Sequence, residues 1–395
     1  MTTAELTRQP PVTASREQVL TNARIVTENE SFSGTVRLKD GLIDSVDRGR
    51  SQLPGAHDCQ DRYLIPGLVE LHTDNLEKHF SPRPGVIWPS QPAVITHDAH
   101  IVSSGITTVF DALSVGDVAT ESTRIKHLQT LLEALAATRN KDLLRAQHLL
   151  HLRCEVSHPD TLDLFRELVD HPMLQLVSVM DHTPGQRQFV NEDKYHEYYQ
   201  GKYGLNDQEM AAFTRDRKEA ARLHSERNRK AIVGICQERG IPLASHDDAT
   251  LEHVTESAGF GMSIAEFPTT REAARASHDH GLAVLMGAPN IVRGGSHSGN
   301  IAAAELAREG VLDILSSDYY PASMLDAAFR VAAMEDNDYN LPRAIATVTA
   351  TPARCANLED RGTIETGKRA DLVLVAVRDQ LPVIDTVWSK GQRVY

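Results

Sequence analysis

Short runs of apolar residues, separated by turn residues, recur along the chain. Residues 18–62 alternate apolar and polar positions in strand-like runs (VLTNARIVT, then GTVRLKDGLIDSVD), with Lys39-Asp40-Gly41 as a hairpin turn. Thr363 to Tyr395 has the same texture (ADLVLVAV, then VIDTVWSKGQRVY). The two ends are therefore expected to build one small β-sandwich. Between them the pattern changes. Leu64 to Leu71, punctuated by Pro66 and Gly67, reads as a strand buried on both faces. Seven more such runs follow, at 105–113, 147–156, 174–183, 241–248, 261–268, 282–290 and 311–321, with helical stretches such as 121–138 and 212–239 between them. Eight βα units in about 290 residues predict an α/β fold, a TIM-type (β/α)8 barrel. A doubly wound open sheet is the alternative, but no G-x-G-x-x-G opens the first βα turn. The expected organisation is a disordered tail over 1–17, the sandwich over 18–62 and 357–395, and the barrel over 63–356.

Composition narrows the setting. No window approaches the ~18 consecutive apolar residues of a membrane span, and residues 1–17 carry no apolar stretch of a secretory signal. Cys59, Cys154, Cys236 and Cys355 form no C-x-x-C pair. That opposes a disulfide framework or a cysteine-held zinc and fits a reducing cytoplasm. A net charge of −13 argues against nucleic acid. A polyanionic small substrate fits only if metals and local Arg, Lys and backbone N–H groups hold it.

The chemistry gathers at strand ends. His72 and Asp74, two apart, project to one side of a strand and suit a cation of borderline hardness. Alone, the pair reads better as a core histidine beside a capping Asp. Barrel enzymes carry their chemistry at the C-terminal ends of the strands. There the chain presents, in order, His72 and Asp74, Asp111, Glu155, Asp181-His182, His246-Asp247, Glu266, Asn290 and Asp318. Together they favour a binding site over scattered surface residues.

The PGLVELHTD strand after a β-rich segment resembles the opening of an amidohydrolase-superfamily barrel. That family carries His-x-His on strand one, a bridging Lys or Glu, two further His and an Asp on strand eight. Here Asp74 replaces the second His. The resemblance implies metal ligands His72, Asp74, Glu155, His182, His246 and Asp318, with Glu155 bridging. Glu266 stands at the usual sixth-strand histidine, and of Glu266 and His182 one is the ligand and the other supports the ligands from behind. The implied cofactor is a pair of divalent ions, zinc first and manganese or iron(II) second. Asp318 and Glu155 are the implied catalytic carboxylates.

Further motifs, HTDNLEKH (72–79), PRPGVIWP (82–89), HDAHIVSSGITTVFDAL (97–113), ASHDDAT (244–250), GAPNIVRGGSHSGN (287–300) and SSDYYP (316–321), resemble a triphosphate-hydrolysing branch of that family in the carbon–phosphorus lyase pathway. This implies a phosphorylated ribose phosphonate as substrate, cut between its α and β phosphates with release of pyrophosphate.

Read without the resemblance, the residues give a hydrolase but not its substrate. A metal-held hydroxide would attack an amide or amidine carbon as well as phosphorus, so a cyclic-amide hydrolase or deaminase is the same-class alternative. A catalytically silent barrel scaffold is the other. Phosphate selectivity is expected from Arg293 and the glycine-rich turn holding Ser296, His297 and Ser298, ahead of the helix IAAAELAREG. The alternative is a plain βα turn with Asn300 as helix cap. Asn290, Lys78, His79 and Arg83 are further candidate substrate contacts. The Tyr-rich insertion 186–207 reads as a lid or a contact in a homo-oligomer. His148, His151, His224, His278 and His280 read as core or surface.

Overall fold

The computed structural model describes residues 17–117, 123–190, 192–296 and 299–395. The tail expected over 1–17 lies, except for Glu17, outside them, as do His297 and Ser298. The middle of the chain forms an eight-stranded parallel barrel in sequence order. Its strands are β1 (Leu68–Thr73), β2 (Ile106–Val115), β3 (Gln147–Glu155), β4 (Leu174–Met180), β5 (Leu243–His246), β6 (Ile264–Glu266), β7 (Ala283–Gly287) and β8 (Ile314–Ser316). A parallel bridge between Thr73 and Asp318 closes it. There the Asp318 N–H donates to the His72 carbonyl at 3.0 Å, and the Asp74 N–H to the Asp318 carbonyl at 2.9 Å. Closure thus happens at the residues expected to do the chemistry.

Every strand contributes to the plug inside the barrel: Val69 and Leu71, Phe110, Leu149, Leu176, Ala244, Ile264, Leu285 and Ile314 pack together. Such a packed layer is core, not pore. On β3 the period of two is plain. Leu149 points into this plug while Leu150, Leu152 and Cys154 pack against the surrounding helices. His151, Arg153 and Glu155 continue the inner face towards the rim.

The two ends of the chain build one sheet, as expected. Its order is Gln392–Arg393, Leu381–Ser389, Leu372–Arg378, Tyr63–Pro66, Gln18–Val26, Ser31–Lys39 and Leu42–Arg48. Leu20, Ile25, Val36, Leu64, Leu372 and Trp388 are among its buried core. The apolar run Leu64–Leu71 is therefore two strands rather than one. Tyr63–Pro66 pairs with Leu372–Val375 in the terminal sheet, and only Leu68 onward enters the barrel. The break falls at Gly67, where a Cβ would run into the Thr107 side chain. Glycine alone lets the chain pass between the two sheets there.

The insertion after β4 folds as a one-turn 3-10 helix (Arg187–Phe189) and a helix over Glu192–Tyr203. Phe189, Tyr195, Tyr199 and Met210 give it a small core of its own. The following helix begins at Asp207, earlier than the apolar pattern suggests, because Asn206 and Glu209 form a reciprocal capping box. No helix of the described residues is long and apolar enough to cross a membrane.

Candidate metal centre and substrate cavity

A polar cavity of about 350 Å³ opens at the C-terminal rim of the barrel. His72, Asp74, His182, His246, Asp247 and Asp318 line it, from β1, β4, β5 and β8. At this rim Asp247, Phe267 and Asp318 adopt left-handed φ, at 57°, 53° and 56°, as several turn residues elsewhere also do. Non-glycine residues held this way cost energy and concentrate at functional sites.

Glu266 sits beneath the cavity, fully buried, and does not line it. It receives His72 Nδ1 on one oxygen at 3.0 Å and His246 Nδ1 on the other at 3.1 Å. Burial opposes its ionisation, but His72, His151 and the His246 hydrogen bond hold its pKa well below the usual carboxylate range. An ionised carboxylate only accepts hydrogen bonds, so both imidazoles carry a proton on Nδ1. Their Nε2 atoms are left for the cavity.

Glu155 does the same for His182. Its Oε2 takes His182 Nδ1 at 2.6 Å and its Oε1 takes the Ser157 hydroxyl at 2.6 Å. Glu155 therefore stands behind His182, with both oxygens engaged. His182 Nε2 lies 3.7 Å and His246 Nε2 3.4 Å from Asp247 Oδ2. His72 Nε2 lies 3.9 Å from Asp74 Oδ1. Asp74 occupies the cap position of the helix Asn75–Phe80, yet its side chain makes no capping bond. It accepts instead from Arg153 Nη1 at 2.8 Å.

Three imidazole nitrogens with carboxylates on the same cavity make a donor set that fits a divalent cation. The ligand atoms of His182, His246 and Asp247 all lie within 4.8 Å of one another. Burial lowers the His182 pKa, but Glu155 behind it and Asp247 beside it outweigh that and raise it to about 10.

Two buried frameworks hold the rim. Glu70 accepts the N–H of His72 at 2.7 Å and of Ser317 at 2.6 Å, as well as the Ser316 hydroxyl, so it pins β1 to β8 beside His72 and Asp318. Burial raises its pKa. On the other side, Arg187 bonds Glu256 at 2.7 Å and packs its guanidinium on Asp248. Arg229 joins Glu256 at 3.0 Å to Asp181 at 3.1 Å. These ion pairs tie the insertion to the loops that carry His182 and Asp247.

The remaining expected residues divide. Asn290, Arg293 and Ser296 line the cavity, and so does Asn300. A short helix over Ala288–Arg293 follows β7, and Gly294 ends it in the left-handed conformation. The next helix starts at Ala303, whose N–H is taken by Asn290 Oδ1 at 3.0 Å, so Asn290 rather than Asn300 serves that helix start. Lys78, His79 and Arg83 do not line the cavity. Lys78 binds the Tyr319 carbonyl at 2.7 Å. Burial lowers the pKa of His79 to about 4, and its ring lies against His97 and His100. Arg83 is exposed on its loop.

Asp111 is not at the rim. β2 runs on to Val115, and Asp111 faces outward to His97 Nε2 and His148 Nδ1, each at 2.8 Å. The cavity also takes in Arg153, which had no expected role, Asp247 from the strand-end series, and Tyr198, Tyr199 and Lys202 from the insertion read as a lid. Arg153 was within reach, since it lies two before Glu155 on the same strand face.

Comparison with known proteins follows this geometry. Residues 99–395 match the Amidohydrolase family. The chain is 54% identical over 377 residues to the alpha-D-ribose 1-methylphosphonate 5-triphosphate diphosphatase of Escherichia coli (strain K12), covering 95% of this chain and 100% of that one. Among solved structures it resembles 5-methylcytosine deaminase from Klebsiella pneumoniae liganded with phosphonocytosine, at TM-score 0.64 and 17% identity over 96% of this chain and 98% of that one. It also resembles N-isopropylammelide isopropylaminohydrolase from Burkholderia multivorans, at TM-score 0.62 and 18% identity over 96% and 98%. At such identity these two establish the fold alone.

Proposed function

The chain belongs to the amidohydrolase family, and from that premise we infer that it hydrolyses α-D-ribose 1-methylphosphonate 5-triphosphate to the 5-phosphate and pyrophosphate, in phosphonate catabolism. The observation that carries this is the 54% identity, spread over 95% of the chain, to a diphosphatase of that substrate. The cavity's chemistry agrees with a polyanion: Arg153, Arg293 and Lys202 line it in a chain of net charge −13. Four free thiols suit a reducing cytoplasm.

His72, Asp74, His182, His246, Asp247 and Asp318 would hold two divalent ions, zinc suiting the imidazole-rich donor set best, with manganese or iron as alternatives. Such ions contribute Lewis acidity towards a phosphoryl oxygen and make water a nucleophile near neutral pH. Glu266 and Glu155 fix the imidazole tautomers and ring angles from behind. Arg153 neutralises Asp74 and aims a cation into the cavity. Asp318, held by the β1–β8 closure, takes the proton of the attacking water and orients it towards the α-phosphorus. Arg293, with Ser296 and the backbone of the glycine-rich turn, binds the departing pyrophosphate oxygens as a planar donor fork.

The test is phosphorus NMR of this triphosphate with metal-loaded protein, beside Asp318→Asn. Pyrophosphate and a 5-monophosphate are expected, with the rate lowered about 10²–10⁴-fold in the variant. An untouched triphosphate with metal bound would return the chain to amide and heterocycle substrates. Unchanged turnover in the variant would remove Asp318 from the chemistry.

A further inference from the structure

The insertion helix Glu192–Tyr203 carries Lys194, Tyr198 and Lys202 at four-residue intervals, so the three form one stripe along it. Beside the stripe, Tyr195 and Tyr199 are buried against Phe189 and Met210, which fixes it relative to the barrel. At one end, Lys194 Nζ stands 3.7 Å from where a Cβ on Gly299 would lie, so this end meets the glycine-rich turn. At the other end, Tyr198 and Lys202 line the cavity. Eight residues separate the two lysines, about 12 Å along the helix at 1.5 Å per residue.

That spacing matters for a substrate with two anionic ends. Resting on the triphosphate reading above, the glycine-rich turn with Arg293 takes the polyphosphate, and Lys194 faces the same end. A lysine two helical turns further on is placed for the other end, the phosphonate on the sugar's C1. Its setting suits that group. Lys202 Nζ lies 5.6, 5.7 and 5.3 Å from the ring centroids of Tyr198, Tyr199 and Tyr203. Ring faces at this distance hold an ammonium group and offer apolar surface to a sugar and a methyl group. We propose that Lys202 and Tyr198 form the subsite for the singly charged alkylphosphonate on C1, and so select a phosphonate-bearing sugar triphosphate over plain ribose 5-triphosphate.

The test compares Lys202→Met with the unaltered, metal-loaded protein on both triphosphates, and measures by calorimetry the binding of ribose 1-methylphosphonate 5-phosphate and of ribose 5-phosphate. Lys202 is exposed, so the variant keeps its fold. The preference for the phosphonate compound, in kcat/KM and in binding, is expected to fall at least tenfold. Lys194→Met should weaken both triphosphates alike and leave the preference unchanged. Equal losses on both compounds in Lys202→Met, or no loss on either, would overturn the subsite. If the unaltered protein cleaves neither triphosphate, the reaction reading falls, and the binding ratio of the two monophosphates alone decides the subsite.

Discussion

Glu266→Gln is the sharpest probe of how the rim is built. The carboxylate accepts one Nδ1–H from His72 and one from His246, at 3.0 and 3.1 Å. An amide of the same shape offers one acceptor and one donor. Whichever ring faces the NH2 must shed its Nδ1 proton, and the neutral imidazole then carries it on Nε2. That nitrogen can no longer donate a lone pair to a cation, while the other ring is unaffected. The cost is thus that of one disturbed ligand, not two. Replacing such supporting partners typically lowers metal affinity 10–100-fold, which is about 1.4–2.8 kcal/mol. Chelator competition with zinc, variant against unaltered protein, measures it directly. An affinity within twofold would mean that Glu266 does not set the tautomers. A loss well beyond a hundredfold would mean that Glu266 is itself a ligand, the alternative to His182 that the sequence leaves open.

Two further outcomes follow from the same geometry. Arg293→Ala should raise KM for the triphosphate about tenfold or more, given that a charged phosphate hydrogen bond is worth about 1.5–3 kcal/mol, with zinc affinity unchanged; loss of both, or of neither, would remove its phosphate role. Stability should also depend on pH through His148. Burial lowers its pKa, but Asp111 and Asp98 outweigh that and raise it to about 9. A raised folded-state value means stability that is complete below the ordinary pH of ~6.5 and lost as pH climbs through ~9, about 3 kcal/mol at 1.36 per unit. Urea midpoints at pH 6 and 9.5, with metal saturating so that His182 holds no proton, should show the fall, and His148→Gln should flatten it; a midpoint that rises with pH would contradict the sign.

Much of this was legible because a parallel barrel buries each strand on both faces. Apolar runs marked all eight strands, and the polar residues ending them marked the rim. What a strand pattern cannot give is the neighbour a side chain turns to. Glu155 and Glu266 end the strands expected of them, but only the packed barrel decides which oxygen meets which ring: His182 for Glu155, His72 and His246 for Glu266. Asp111 misled for a different reason: its strand continues four residues beyond it, so its parity aims it outward at His97 and His148. The double strand at 63–73 was hidden because both halves are equally apolar, and only the Thr107 side chain crowding Gly67 separates them. Lys202 reaches the cavity through the fold of the insertion, a long-range fact with no local signature.

The joint at Gly67 also has a consequence for synthesis. Tyr63–Pro66 hydrogen-bonds to Leu372–Val375, about 300 residues further along the chain. The ribosome therefore delivers the segment leading into β1 long before its partner strand exists. Until then Leu64 and Ile65, both fully buried in the finished molecule, have only part of their surroundings. A chain in this state exposes an unpaired strand edge and apolar surface, the combination that chaperones hold. Strand Leu372–Arg378 thus completes the anchor at the start of the barrel, and the strand bearing His72 gains its full support only after all eight barrel strands have been made.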